Sequence, residues 1–196
     1  MNLKLLSLSF AGLLITGCGA KETTEATVIG IPALPDGAYL LSDVEVTENG
    51  EVSVLLRDQI KIYANNRFMY AFMNADTGID VGAGIATWKN GVMVEVPTVN
   101  HNGPVKGYSF DVAIKQTDGG FMQTILGMKY DDGRSLDMIE TWNTASTKTW
   151  LFDGLWQLQN RNAEVVFLDD FVETKMIGGG HFIWLQRWSK DGETQK

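Results

Sequence analysis

The chain has one cysteine, two histidines and four prolines in 196 residues, and each scarcity removes a class of chemistry. A single cysteine cannot close an internal disulfide or supply a multi-thiolate metal site. His101 lies in Asn100-His101-Asn102-Gly103 and His181 follows Gly178-Gly179-Gly180, and neither has a histidine or cysteine at ligand spacing. Both read as solvated turn residues, and no metal site is expected. Asp131-Asp132 and Asp169-Asp170 are adjacent pairs, which a strand sends to opposite faces and a turn leaves hydrated. Tyr130-Asp131-Asp132-Gly133 lacks the alternating oxygens of a calcium loop. No Gly-x-Ser-x-Gly elbow occurs. Gly82-Ala83-Gly84 and the triple glycine lack the helix that a phosphate-cradling loop requires. The chain is therefore expected to be no enzyme and to hold no cofactor. Positive charge is also short: 16 basic residues face 24 acidic ones, a net −8. Such a chain is a poor partner for nucleic acid.

Long apolar runs are missing too. The stretch Leu5 to Ile15 behind Lys4 is too short to cross a hydrocarbon core, which takes about 20 residues. It ends in Ile15-Thr16-Gly17-Cys18, an order that resembles the lipobox of bacterial lipoproteins. The resemblance implies a signal peptide over residues 1–17, cleavage before Cys18 and acylation of that cysteine. Gly19 after the cysteine, where an aspartate would retain the protein at the inner membrane, implies the outer membrane with the folded part facing the periplasm. Loss of the leader removes Lys4 and leaves a net −9, so attachment would come from the N-terminal lipid rather than from charge. Residues 18–36 are small, polar and punctuated by proline, the composition of a tether.

What is plentiful is glycine, 21 residues, with aromatics spread throughout. Turn signals recur at Glu48-Asn49-Gly50, Asn65-Asn66, Thr77-Gly78, Lys89-Asn90-Gly91, Asn102-Gly103, Asp118-Gly119-Gly120 and Asp131-Asp132-Gly133. These pairs tolerate positive φ, so an all-β antiparallel meander is expected. Strands are expected at Ala38–Val46, Glu51–Tyr63, Arg67–Met73, Gly82–Trp88, Val92–Pro97, Lys106–Lys115, Phe121–Tyr130 and Ser135–Trp142, with Leu55 to Gln59 able to form a helical turn instead. Phe68, Tyr70 and Phe72 alternate, which places them on one face, expected to point inward, opposite Met69 and Met73. A partial internal repeat is also visible. Gly37, Tyr39 and Leu41 match Gly154, Trp156 and Leu158, and Lys61, Phe68 and Tyr70 match Lys175, Phe182 and Trp184. The domains read as 37–153 and a partial second copy over 154–196. The second copy has too few strands to close alone, so it is expected to pack on the first sheet or on a second molecule.

The order of Gly37-x-Tyr39-x-Leu41, Lys61-Ile62-Tyr63-Ala64-Asn65-Asn66-Arg67-Phe68-Met69-Tyr70, Gly82 to Trp88 and Ile139-Glu140-Thr141-Trp142 resembles a lipocalin-like domain, of the calycin type found in uncharacterised bacterial secreted proteins and lipoproteins. It departs at Tyr39, where tryptophan is usual, at Ala86 and at Asn143. The resemblance implies a closed barrel, in some members around a small apolar ligand, and no particular reaction. Tyr63, Phe68, Tyr70, Phe72, Trp88, Phe110 and Trp142, with Tyr108 and Phe121, are the residues that would line such a cavity or pack a core. Two functions stay open: a small apolar or amphipathic ligand bound without transformation, or an envelope protein-interaction module, homodimeric or with another protein, whose barrel is filled.

Overall fold

The computed structural model describes residues 34–55, 57–75, 78–129, 133–159, 171–190 and 193–195. The leader, Cys18 and most of the tether lie outside the described residues. The strands are β1 Gly37–Glu48, β2 Glu51–Val54, β3 Gln59–Ala64, β4 Arg67–Asn74, β5 Gly78–Lys89, β6 Val92–Asn100, β7 Gly103–Pro104, β8 Phe110–Thr117, β9 Gly120–Lys129, β10 Ser135–Ser146, β11 Gly154–Gln157, β12 Val172–Gly178, β13 His181–Lys190 and β14 Glu193–Gln195. The fold is all-β. No helix occurs among the described residues.

Eight strands, β1, β3, β4, β5, β6, β8, β9 and β10, form an antiparallel meander that closes where β1 pairs with β10, Leu41 opposite Trp142. Closure removes the free edges that an open sheet would present. The turns follow the chemistry of their residues: Asn49, Asn65, Asn66 and Asn90 have positive φ, a conformation asparagine tolerates better than bulkier residues. Beyond shifts of a few residues at strand ends, two expected strands differ in kind. The stretch Glu51–Tyr63 is two strands, because β2 pairs only with the far half of β1 while β3 pairs with the near half. Leu55, Arg57 and Asp58 between them form no helical turn. The strand expected from Lys106 begins only at Phe110, after the short β7 and the loop that follows it.

The remaining strands, β11 to β14, form a second sheet. Its inner face places Met176, Ile183 and Leu185 against Ile62, Ala64, Met69 and Val81 on the outer wall of the barrel. That contact explains a pattern that alternation alone leaves ambiguous. Ile60, Ile62 and Ala64 point out of the barrel and are still covered, so Gln59, Lys61 and Tyr63 are the residues that point in. The tip of the β12–β13 hairpin fits closely on the barrel. Gly179 has φ 60°, and a Cβ there would lie 2.4 Å from the amide nitrogen of Ala38.

Candidate functional site

The barrel has a closed end and an open end. At the closed end Tyr39, Tyr63, Phe121 and Trp142 are almost wholly buried, with Tyr39 edge-on to Phe121 at 4.9 Å and Phe121 stacked on Trp142 at 6.2 Å. The Tyr39 hydroxyl donates to the carbonyl of Pro35 at 2.6 Å and seals this end. Burial, with Asp36 nearby, pushes that phenol up to about 12, so it stays a donor at any ordinary pH.

Above the aromatic floor lies a layer of charge. Lys61 Nζ sits 2.7 Å from Glu95 Oε1, both side chains nearly inaccessible, and Tyr63 donates its hydroxyl to the same oxygen at 2.5 Å. Arg57 Nη2 donates to Glu140 Oε1 at 3.0 Å, while Gln123 Nε2 and Trp142 Nε1 donate to Glu140 Oε2 at 2.5 and 3.3 Å. Lys61 also lies over the rings of Tyr63 and Phe68, at 5.1 and 5.2 Å, and Arg57 lies over Phe72 at 4.4 Å. Desolvation raises the Glu140 carboxyl above its ordinary 4.5, and Lys61 and Arg57 oppose that rise. The Tyr63 phenol is pushed well up, first by burial and then by Glu95.

From this layer a cavity of about 760 Å³ runs to the open end. Phe68, Tyr70, Phe72, Phe110, Tyr108 and Met138 form much of its apolar wall, with Asp80, Lys106 and Lys129 also on the lining. Gly82 makes room for the Tyr70 ring, which lies 2.6 Å from where a Cβ would stand and would have to move aside for a larger residue. Two lining residues each carry a buried side-chain atom with no hydrogen-bond partner among the described residues, the Nε of Arg57 and the Oε1 of Gln59.

The aromatic residues singled out in the sequence divide. Phe68, Tyr70, Phe72 and Phe110 line the cavity, as does Tyr108. Tyr63 and Trp142 belong to the buried floor, as does Phe121, and Trp88 packs partly buried against the same cluster. His101 is not a solvated turn residue: its Nδ1 lies 2.8 Å from Asp80 Oδ1, and only 12% of its side chain is accessible. His181 is the first residue of β13 and is exposed, with its Nδ1 2.8 Å from the Gly179 carbonyl. Among the described residues no three histidine, cysteine or acidic side chains gather as a metal would need.

Sequence reasoning missed the polar half of the site: Arg57, Gln59, Lys61, Glu95, Gln123 and Glu140. The available signal was the strict alternation Gln59, Lys61, Tyr63, in phase across the turn with Phe68, Tyr70, Phe72. Neither the family models, the curated proteins nor the solved structures give a match to this chain, so the reading of the site rests on its own geometry.

Proposed function

We propose that the barrel binds one small amphipathic molecule, with its polar group at Arg57 and Gln59 and its apolar body along Phe72, Tyr108, Phe110 and Met138. The observation that carries this reading is the cavity of about 760 Å³ with a charged base, a volume within the usual range of small-ligand sites. A barrel of eight strands is just wide enough to be filled by side chains or to hold one small ligand. A filled, apolar interior would in general be the more stable choice, since replacing buried ion pairs by packed apolar residues is often neutral or stabilising. Charges kept at the base of an open cavity therefore favour a ligand over a core. The same argument favours the amphipathic half of the apolar or amphipathic ligand expected from the sequence, because the charged lining of Arg57, Lys61, Glu95 and Glu140 offers a hydrocarbon nothing to match it.

The lipocalin-like resemblance supports the reading at the level of architecture, a closed eight-stranded barrel. We further infer that the protein is an envelope lipoprotein, held at the outer membrane through Cys18 and acting without chemical transformation of its ligand. The order of charge, apolar run and small residues before Cys18 supports this.

Native mass spectrometry of the mature chain carrying Cys18→Ser, extracted gently from the periplasm, tests the binding reading. A retained molecule of a few hundred daltons that is lost in Phe72→Ala is the expected result. A bare mass, with no uptake of an amphipathic fluorescent probe by the same sample, would overturn it.

A further inference from the structure

The outer face of the β11–β13 sheet carries an arrangement found inside the barrel. Within the barrel, Tyr39, Lys61 and Tyr70 stand side by side across β1, β3 and β4, and on the second sheet Trp156, Lys175 and Trp184 stand side by side across β11, β12 and β13. In both places the lysine lies over aromatic rings, for Lys175 those of Phe182 and Trp184 at 4.9 and 5.4 Å. The first set is inside the barrel. The second is open, with Trp156 55%, Phe182 63% and Trp184 51% exposed.

The open patch continues into the turn before β11. Trp150 stacks on Phe152 at 6.3 Å, Trp156 Nε1 donates to the Phe152 carbonyl, and Leu151 at the tip is fully exposed. This turn is fixed beside the start of the barrel, because Asn65 donates its side-chain amide to the Asp153 carbonyl and its backbone amide to the Asp36 carboxylate. The chain leading back to Cys18 thus leaves the barrel next to the aromatic turn. The 17 residues between Cys18 and Asp36 reach at most roughly 60 Å, which allows the patch to meet the surface in which the anchor sits.

We propose that this patch rests on the lipid bilayer, a proposal that depends on the lipid-anchor reading for its biological setting. Tryptophan, phenylalanine and leucine suit the boundary between headgroups and acyl chains, where an apolar body and a polar edge are both accommodated. Lys148 and Lys175 can extend their ammonium groups to headgroup phosphates. The anchor raises the effective concentration of the patch at the surface, so an affinity that is measurable for the free protein only at high lipid suffices. Docking in this way places the closed end of the barrel at the membrane and the cavity mouth, framed by Asn102, Lys106 and Lys129, away from it.

The test uses the mature chain with Cys18→Ser and vesicles of phosphatidylethanolamine and phosphatidylglycerol carrying brominated acyl chains. Tryptophan quenching at high lipid is the expected result, and Leu151→Ser with Phe152→Ser should weaken partitioning by about tenfold or more. Both side chains are exposed, so the double variant should keep the parental melting temperature. Absence of quenching in the parent overturns the proposal. So does a concentration-dependent dimer that the double variant dissolves, since a second copy would then cover the patch. The intact mass of wild-type protein extracted from membranes reports acylation of Cys18 separately, so a failed anchor and a failed docking face give different results.

Discussion

At the scale of single residues, the interior charges are bound to one another more tightly than to the space above them. Removing one member leaves the other buried without its counter-charge, which costs about 3–5 kcal/mol. Lys61→Ala should therefore destabilise the fold by that amount in urea unfolding, as Glu95 would keep only its bond from Tyr63. The double variant Lys61→Met with Glu95→Gln should cost much less than the sum of the two single changes. Additive losses would show that the pair is not energetically coupled. Glu140 gives a pH dependence with a definite sign. Its carboxyl titrates higher in the folded than in the unfolded chain, so the native state holds more protons and stability falls as pH rises above about 4.5. Glu140→Gln lacks this term. Relative to that variant, the wild type should be at its best below pH 4.5 and lose ground as pH rises through the folded value, and a difference that stays flat from pH 4 to 8 would contradict the assignment.

At the scale of elements, β3 is the strand on which the molecule turns. One face supplies Gln59, Lys61 and Tyr63 to the barrel interior, and the other supplies Ile60, Ile62 and Ala64 to the contact with the second sheet. A strand apolar on one side and polar on the other would ordinarily bury the apolar side alone. Here β12 and β13 cover that side from outside, which frees the polar side to form the site. Met176 is wholly buried in this contact. Met176→Ala should cost about 2–5 kcal/mol of stability, the range for truncating a large core side chain, while leaving ligand uptake per folded molecule unchanged. Loss of uptake without loss of stability would place the second sheet in the binding site rather than behind it.

At the scale of the whole molecule, the second sheet is the lid on an apolar wall. Without it Ile62, Met69, Ala83 and Val99 would face water as one contiguous surface of the kind that drives association. A chain ending at Asp153 should aggregate or lose the sharpness of its thermal transition, read by light scattering and calorimetry. A truncated protein that stays monomeric and melts as the parent does would show that the barrel wall tolerates exposure. Closure of β1 on β10 also joins the two ends of the barrel sequence, a contact across about a hundred residues, so folding should be slow relative to helical proteins of this size.

The all-β class, the meander and most of its turns are legible along the chain, because asparagine and glycine at positive φ and period-two alternation are local properties that sequence neighbours decide. The sequence also placed Phe68, Tyr70 and Phe72 on one face, since alternation has no exception within an unbroken strand. It expected that face to point inward, where Phe68, Tyr70 and Phe72 line the cavity, but it made no such assignment for the polar residues of β3. Ile60-Lys61-Ile62 read alone favours isoleucine in and lysine out, and only a second sheet more than a hundred residues away reverses that choice. The ion pairs were illegible for the same reason: Lys61 with Glu95 and Arg57 with Glu140 meet only because the barrel closes, and no spacing along the chain records the distance across its interior.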